Sequence, residues 1–254
     1  MDIVLLVLTA LFLPLFPFSM LMNLLFTHLQ HPLLRIAMII TWPLVGLALV
    51  DEFELSFDEG LSGVVLVWSV LTAALYALRM LALRELNIWV AFLATSLWST
   101  LWIPVIEGDA MQHILYDAAG FSAPLIVIIL VASLLSQRYG AAYAGIYNGI
   151  AIPMPRLASV LVISVLAGVG TPLFPAFFSM LSILMVTPPV IALALLTIWL
   201  LWSWAGVRIL QGFIVGESVH IEPRPDISMG LALALVSTLA GMLVIGVLLA
   251  GEQL

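Results

Sequence analysis

Residues 113–136 read HILYDAAGFSAPLIVIILVASLLS, and residues 168–175 read GVGTPLFP. The first stretch opens with a histidine and an aspartate four residues apart, then continues apolar on every side for more than four helical turns. A bilayer core about 30 Å thick needs roughly 20 such residues in helical form. A spanning strand would instead alternate weakly over about ten residues. Helix is therefore the expected state, with His113 and Asp117 on one face. The second stretch cannot continue a helix. Pro172 and Pro175 lack the amide donor, and Gly168 and Gly170 relax the backbone. Irregular backbone survives at membrane depth only where protein or a wet cavity covers it, so GVGTPLFP reads either as a break inside the membrane or as a short surface turn between two helices.

The rest of the chain agrees with a membrane protein. Of 254 residues, 64% are hydrophobic and 8% charged, and the mean hydropathy is +1.27. Soluble domains carry about a quarter charged residues, so a soluble globular enzyme, a disordered chain and a nucleic-acid binder are excluded. Apolar runs near 3–26, 33–50, 61–83, 87–106, 110–136, 156–171, 173–187, 190–213 and 228–250 predict an all-α polytopic protein of about nine transmembrane helices in the lipid bilayer. Met1-Asp2 leads directly into apolar residues without the positive region of a secretory signal, so the first run is expected to be a retained helix. Tyr116, Ser122, Thr95, Ser96, Ser99 and Thr100 could extend a hydrogen-bonded path between helices, but serine and threonine within the runs are expected to serve packing or to bond their own backbone.

All seven basic residues are arginine, against 14 acids, for a net charge of −7. Without lysine there is no Schiff-base chemistry, and without cysteine there are no disulfides or thiolate metal sites. The connections alternate in charge. Arg35 follows the first, the second holds Asp51, Glu52, Glu54, Asp58 and Glu59, and the third is marked by Arg79, Arg84 and Glu85. Glu107 and Asp109 mark the fourth, and Arg138 opens the fifth, which also holds Tyr143, Tyr147 and Asn148. The last mixes Glu217, His220, Glu222, Pro223, Arg224, Pro225 and Asp226. The positive-inside rule places the arginine-bearing connections in the cytoplasm and the N-terminus outside. The tryptophan clusters Trp98/Trp102 and Trp199/Trp202/Trp204 are expected near helix ends, as an interfacial belt.

His113 and Asp117 are the strongest candidates for chemistry. An aspartate at mid-bilayer costs about 2.5–3.5 kcal/mol on insertion scales, and intramembrane acids usually face a bundle interior and serve ion or proton relays. Asp109, one turn earlier, and Glu107 could lead from the surface to the pair, with Tyr116 alongside. If the span instead begins near Ala118, both residues are merely interfacial.

As a set, these stretches look familiar. HILYDAAGF at 113–121, GAAYAGIYNGIAIPMPRLA at 140–158 and VLAGVGTPLFPAFFSMLSIL at 165–184 resemble, in order and spacing, the antiporter-like proton-channel subunits. That family includes membrane-arm subunits of respiratory complex I, Mrp antiporter subunits, membrane-bound hydrogenase subunits and the membrane partner of inorganic-carbon-uptake complexes. Its pattern is H-x-x-x-K on one helix, a loop ending in M-P, a helix closing in L-A-x-x-G-x-P, and a broken helix with G-F-F-S-K. The match is good over 113–186 and loose over 85–250, so the chain divides into N-terminal helices of unassigned family, 1–84, and an antiporter-like bundle, 85–254. The departures are informative. Asp117 falls where the family has the lysine, and Met180, after Ser179, falls where the broken helix carries lysine or glutamate.

The resemblance implies a subunit of a multi-subunit ion-coupled complex in a bacterial or archaeal plasma (inner) membrane. The coupled chemistry would be redox reaction, cation antiport or bicarbonate/CO2 uptake in a partner. Residues Gly168, Gly170, Thr171, Pro172, Pro175 and Ser179 would form the gate at the broken helix. The family fold has about fourteen helices built on two inverted repeats, and this chain can supply one repeat with flanking helices. A full-length antiporter-like subunit and a catalytic or peripheral subunit are the implied partners. No cofactor is implied, and the alternative role is a non-conducting scaffold.

Overall fold

The computed structural model describes residues 3–53, 57–146, 148–216 and 225–253. Glu54, Tyr147, Glu217, His220, Glu222, Pro223 and Arg224 of the sequence reading lie outside them. In chain order the helices are α1 (Ile3–Phe12), α2 (Ser19–His28), α3 (Pro32–Glu52), α4 (Glu59–Met80), α5 (Leu86–Ser99), α6 (Trp102–Glu107), α7 (Met111–Tyr139), α8 (Pro155–Gly168), α9 (Pro175–Val186), α10 (Pro189–Ile214) and α11 (Met229–Gln253). Prolines open α3, α8, α9 and α10, where a missing amide hydrogen costs nothing and the fixed φ suits a helix. The Glu85 carboxylate caps α5 by accepting the Ile88 amide at 3.0 Å.

Among the described residues, six segments are long and apolar enough to cross a membrane: Pro32–Glu52, Gly60–Met80, Leu86–Glu107, Met111–Tyr139, Pro189–Ile214 and Met229–Leu248. α8 and α9 are apolar but shorter. They flank a break at 169–174, where the sequence predicts one. The run 3–26 is not one helix. It divides into α1 and α2 around Pro14 and Pro17, and 87–106 divides into α5 and α6 at Thr100–Leu101.

α5 is the axis of the bundle, with nearly every residue buried between α2, α4 and α7. A single apolar cluster runs from Leu6 to Leu239 and joins residues before 84 to those after. α7 packs against α3, α5, α8 and α9, and α9 also meets α11.

The tryptophan belt is corrected by the structure. Trp98, Trp102 and Trp202 are fully buried, whereas Trp204 is exposed. Their indole N–H groups point inward: Trp98 donates to Ser122 Oγ (3.1 Å), Trp202 to Ser96 Oγ (2.7 Å) and Trp102 to the Leu13 carbonyl (3.0 Å). Around the α1–α2 break, Trp42 also donates to the Leu11 carbonyl and Trp68 to the Phe16 carbonyl. Trp199 donates to the carbonyls of Val169 and Gly170, both at 3.1 Å, at the other break. Each interruption frees backbone carbonyls that no helix turn can satisfy, and an indole, donor at one edge and apolar elsewhere, reaches them without introducing a charge.

Charge is sorted along the bundle axis. The α4–α5 and α7–α8 connections meet through Leu86 N–H to Ala142 O (2.9 Å) and Ala144 N–H to Arg84 O (2.7 Å). Gly145 N–H then reaches Gly212 O at the end of α10 (2.8 Å). Arg138 donates to Pro225 O, and the Asp226 carboxylate accepts the backbone amides of Arg156 and Leu157 at the start of α8. Arg35, Arg79, Arg84, Arg138, Arg156 and Arg208 therefore share one end, with Glu85 and Asp226 as its acids among the described residues. Asp51, Glu52, Asp58, Glu107 and Asp109 occupy the other end, where Phe57 packs edge-on against Trp102.

Candidate functional site

Asp117 lies six residues into α7, about 9 Å along the axis from its start, and is 1% exposed. It is the one fully buried carboxylic acid among the described residues. Its neighbours across the helix interface are the hydroxyls of Ser182 and Ser179 on α9, with Asp109 close enough to act on it electrostatically. Oδ2 has no hydrogen-bond partner. No basic side chain of the described residues forms an ion pair with it.

The close approach of α7 and α9 rests on Gly120. A Cβ there would collide with Ser179 Oγ and press the Pro175 carbonyl at 3.3 Å. Absence of a side chain at Gly120 thus lets the helix bearing the acid lie against the first turn after the break. Within the break, Gly170 has φ +74 and sits where a Cβ would meet the Trp199 indole at 3.0 Å. Val169 and Gly170 are buried under Trp199, while Pro172 and Leu173 are exposed. Thr171 turns its hydroxyl back to the Leu166 carbonyl (3.0 Å).

The other expected pathway residues are arranged differently from the sequence reading. His113 does not pair with Asp117; its Nδ1 meets Asp109 Oδ1 at 3.1 Å, with the imidazole exposed. The cause is depth, since His113 is one turn nearer the α7 end than Asp117. Asp109 Oδ1 also accepts the Ala110 amide (2.7 Å), so this carboxylate organises the entrance to α7. Tyr116 is exposed and its hydroxyl accepts from Gln112 Nε2 (2.8 Å). Glu107 is exposed at the end of α6, before Gly108, φ +74. Met180 is fully buried and apolar.

Serines and threonines between the helices mostly bond backbone, as expected. Thr95 donates to Ala91 O, Ser99 to Ser96 O and Thr100 to Leu97 O, and Ser96 reaches across to Ala73 O on α4. Two polar features escaped the sequence reading. Asn23 on α2 donates to Thr95 Oγ1 (3.0 Å) beside a Ser19–Tyr76 hydroxyl pair (2.9 Å), all buried. Its signal was an asparagine four residues from a serine inside an apolar helix. At the arginine end, Arg35, Glu85, Asn87, Ser133, Ser136 and Gln137 line a polar cavity of about 450 Å3, into whose walls Arg35 Nε and Asn87 Oδ1 are built without partners. These six residues come from three segments, α3, the capped start of α5 and α7, which only the fold brings together.

This all-helical bundle, with a buried acid beside a broken helix, is similar in fold to antiporter-like membrane subunits, and solved structures match almost the whole chain. One is a chain of respiratory complex I from Thermus thermophilus with bound NADH (TM-score 0.81, 21% identity, covering 94% of this chain and 52% of that one). A second is a chain of the Mrp complex from Dietzia sp. DQ12-45-1b (TM-score 0.80, 15% identity, 96% and 55%). A third belongs to the membrane-bound sulfane sulfur reductase, an archaeal respiratory membrane complex (TM-score 0.83, 17% identity, 96% and 52%). At these identities the likeness establishes the fold. It extends beyond 85–254 to the N-terminal helices, and the chain spans about half the length of each matched chain. No family model matches the sequence, and no curated protein sequence matches it.

Proposed function

We propose that this protein is a membrane subunit of a multi-subunit ion-coupled complex, and that Asp117 is its protonatable centre. The observation that supports this reading is the burial of Asp117 in a spanning helix, without a basic partner among the described residues, against the turn that follows a broken helix. An isolated acid in hydrocarbon is costly and is retained where its proton is used. Protons would arrive from the acidic end through Glu107, Asp109 and His113, with Tyr116 at the margin. Ser179 and Ser182 would accept and donate hydrogen bonds as the carboxyl changes state. The segment from Gly168 to Pro175 would act as the gate, because its backbone is already outside the helical ladder. Coupling to redox chemistry, cation antiport or bicarbonate/CO2 uptake would reside in a partner subunit. By the positive-inside rule the arginine end faces the cytoplasm.

A second reading, a non-conducting scaffold for a full-length antiporter-like or catalytic partner, is favoured by Met180. A thioether holds no proton, and it stands where the resemblance places a titratable group. Proton flux through the reconstituted complex, followed by a pH-sensitive dye inside vesicles, separates the two. Asp117→Asn keeps the shape and removes the titratable proton. Flux falls at least about tenfold if Asp117 conducts; unchanged flux with an intact complex refutes conduction by this chain and leaves the scaffold.

A further inference from the structure

α7 carries Asp117 on one face and borders a cavity with the other. The cavity, about 230 Å3, lies between α3 and α7 and is lined by Ile40 and Leu44 on α3 and by Ala119, Ser122, Ala123 and Ile126 on α7. At ~100° per residue, those four α7 positions centre on the face roughly opposite Asp117, and Pro124 falls within about 20° of Asp117. Gly120 keeps to the Asp117 side, against Ser179. The cavity opens sideways toward lipid, where Ile40 and Leu44 are exposed, so an acyl chain can enter or leave it as the helices move.

The helix also has a built-in pivot. Pro124, inside α7, has no amide hydrogen for the Gly120 carbonyl, and its ring crowds that carbonyl. Crowding on the Asp117 face opens the helix there and bends it toward the opposite face, where the cavity lies. The two halves of α7 are held unequally. Beyond Pro124, Leu125 and Ile128 pack on Gly168 of α8, and most positions as far as Leu135 are buried. Before it, Gln112, His113, Leu115, Tyr116 and Ala119 are exposed. Ser122 Oγ, which accepts the Trp98 indole N–H at 3.1 Å, ties the pivot to α5. We propose that the first half of α7 swings about Gly120–Pro124 into this cavity, parting Asp117 from Ser179 and Ser182 and opening the α7–α9 seam to water from the acidic end. Alanine at 119 and 123 leaves the room for it. Asp117 thereby has two states, one sealed against α9 and one in contact with the acidic end. That the swing admits a proton rests on Asp117 being the protonatable centre; the swing itself does not.

The chain has no cysteine, so Ser179→Cys supplies a single thiol at a position only 5% exposed. In nanodiscs, the full chain carrying it should react slowly with a permanently charged, water-soluble methanethiosulfonate. Ala119→Leu with Ala123→Leu puts two isobutyl groups into the cavity and should slow that reaction by about tenfold or more, as when one of two states loses its space. Pro124→Ala returns an amide to the Gly120 carbonyl without filling the cavity, and should slow it as well. Circular dichroism melts should show the filled variant at least as stable as its parent, since cavity filling adds contacts; if it melts earlier, Pro124→Ala alone decides. A thiol that never reacts, or a rate that neither change alters, overturns the proposal. In the reconstituted complex the filled variant should lose proton flux as Asp117→Asn does. Full flux in the filled variant beside lost flux in Asp117→Asn overturns the role of the swing in admitting protons. Full flux in both refutes conduction through Asp117, and the labelling rates then still decide whether α7 swings.

Discussion

Replacing Trp102 by phenylalanine tests how this bundle tolerates a broken first helix. The indole is fully buried and donates to the Leu13 carbonyl at 3.0 Å. Leu13 lies beyond the end of α1, so its carbonyl has no helical partner one turn ahead. Removing the N–H strands a buried acceptor, at a cost of about 1–3 kcal/mol. A vacancy of roughly 40 Å3 adds about 1 kcal/mol at ~24 cal/mol per Å3. Side-chain hydrogen bonds between membrane helices average only about 0.6 kcal/mol, because the separated helices find other partners. A main-chain carbonyl at a proline-made break has fewer alternatives, so the upper range applies. The expected loss is about 2–4 kcal/mol, measured by reversible unfolding in mixed micelles with circular dichroism as the probe. Trp204→Phe, at an exposed position, is the control and should stay within about 0.5 kcal/mol. Equal effects at the two positions would refute the idea that indoles secure the α1–α2 break.

Further outcomes follow from other contacts. Gly120→Ala should destabilise the protein by about 1–3 kcal/mol through overpacking, and Ser179→Ala in the same chain should restore part of that loss, because the Ser179 hydroxyl is the nearest obstruction; additive losses in the double variant would contradict the geometry. Asp226→Ala removes the acceptor for the Arg156 and Leu157 amides and should cost about 0.5–2 kcal/mol, with faster amide exchange confined to the start of α8. His113→Ala breaks an exposed imidazole–carboxylate contact and should change stability by less than about 1 kcal/mol, so a larger loss in the same unfolding assay would show that the contact organises α7.

What the sequence discloses about this fold is mostly what apolar length discloses. Spanning runs and the break after Gly168 are visible because Pro172 and Pro175 remove backbone donors inside a run that would otherwise continue. Pro14 and Pro17 remove donors in the same way inside 3–26, where hydropathy alone predicts one run. Tryptophan positions mislead for a different reason. Interfacial preference describes an indole facing lipid, whereas Trp102 and Trp202 face other helices, and only their neighbours reveal that. Asp117 was legible as an anomaly, a carboxylate in an apolar run, but its partners Ser179 and Ser182 depend on how α7 crosses α9. That crossing is set by Gly120, whose role no sequence period displays. His113 and Asp117 both lie in α7, four residues apart, yet His113 is one turn nearer the helix start, so its imidazole is exposed and the Asp117 carboxylate is buried.

The tryptophan caps on the first interruption also impose an order on biogenesis. The carbonyls of Leu11, Phe16 and Leu13 receive their indole donors from residues 31, 52 and 89 positions later in the chain. When α1 and α2 emerge from the ribosome, none of those donors has been synthesised. Until α6 arrives, water or the insertion machinery must solvate that turn, so α1 and α2, made before their indole donors, are among the last helices here to settle into lipid.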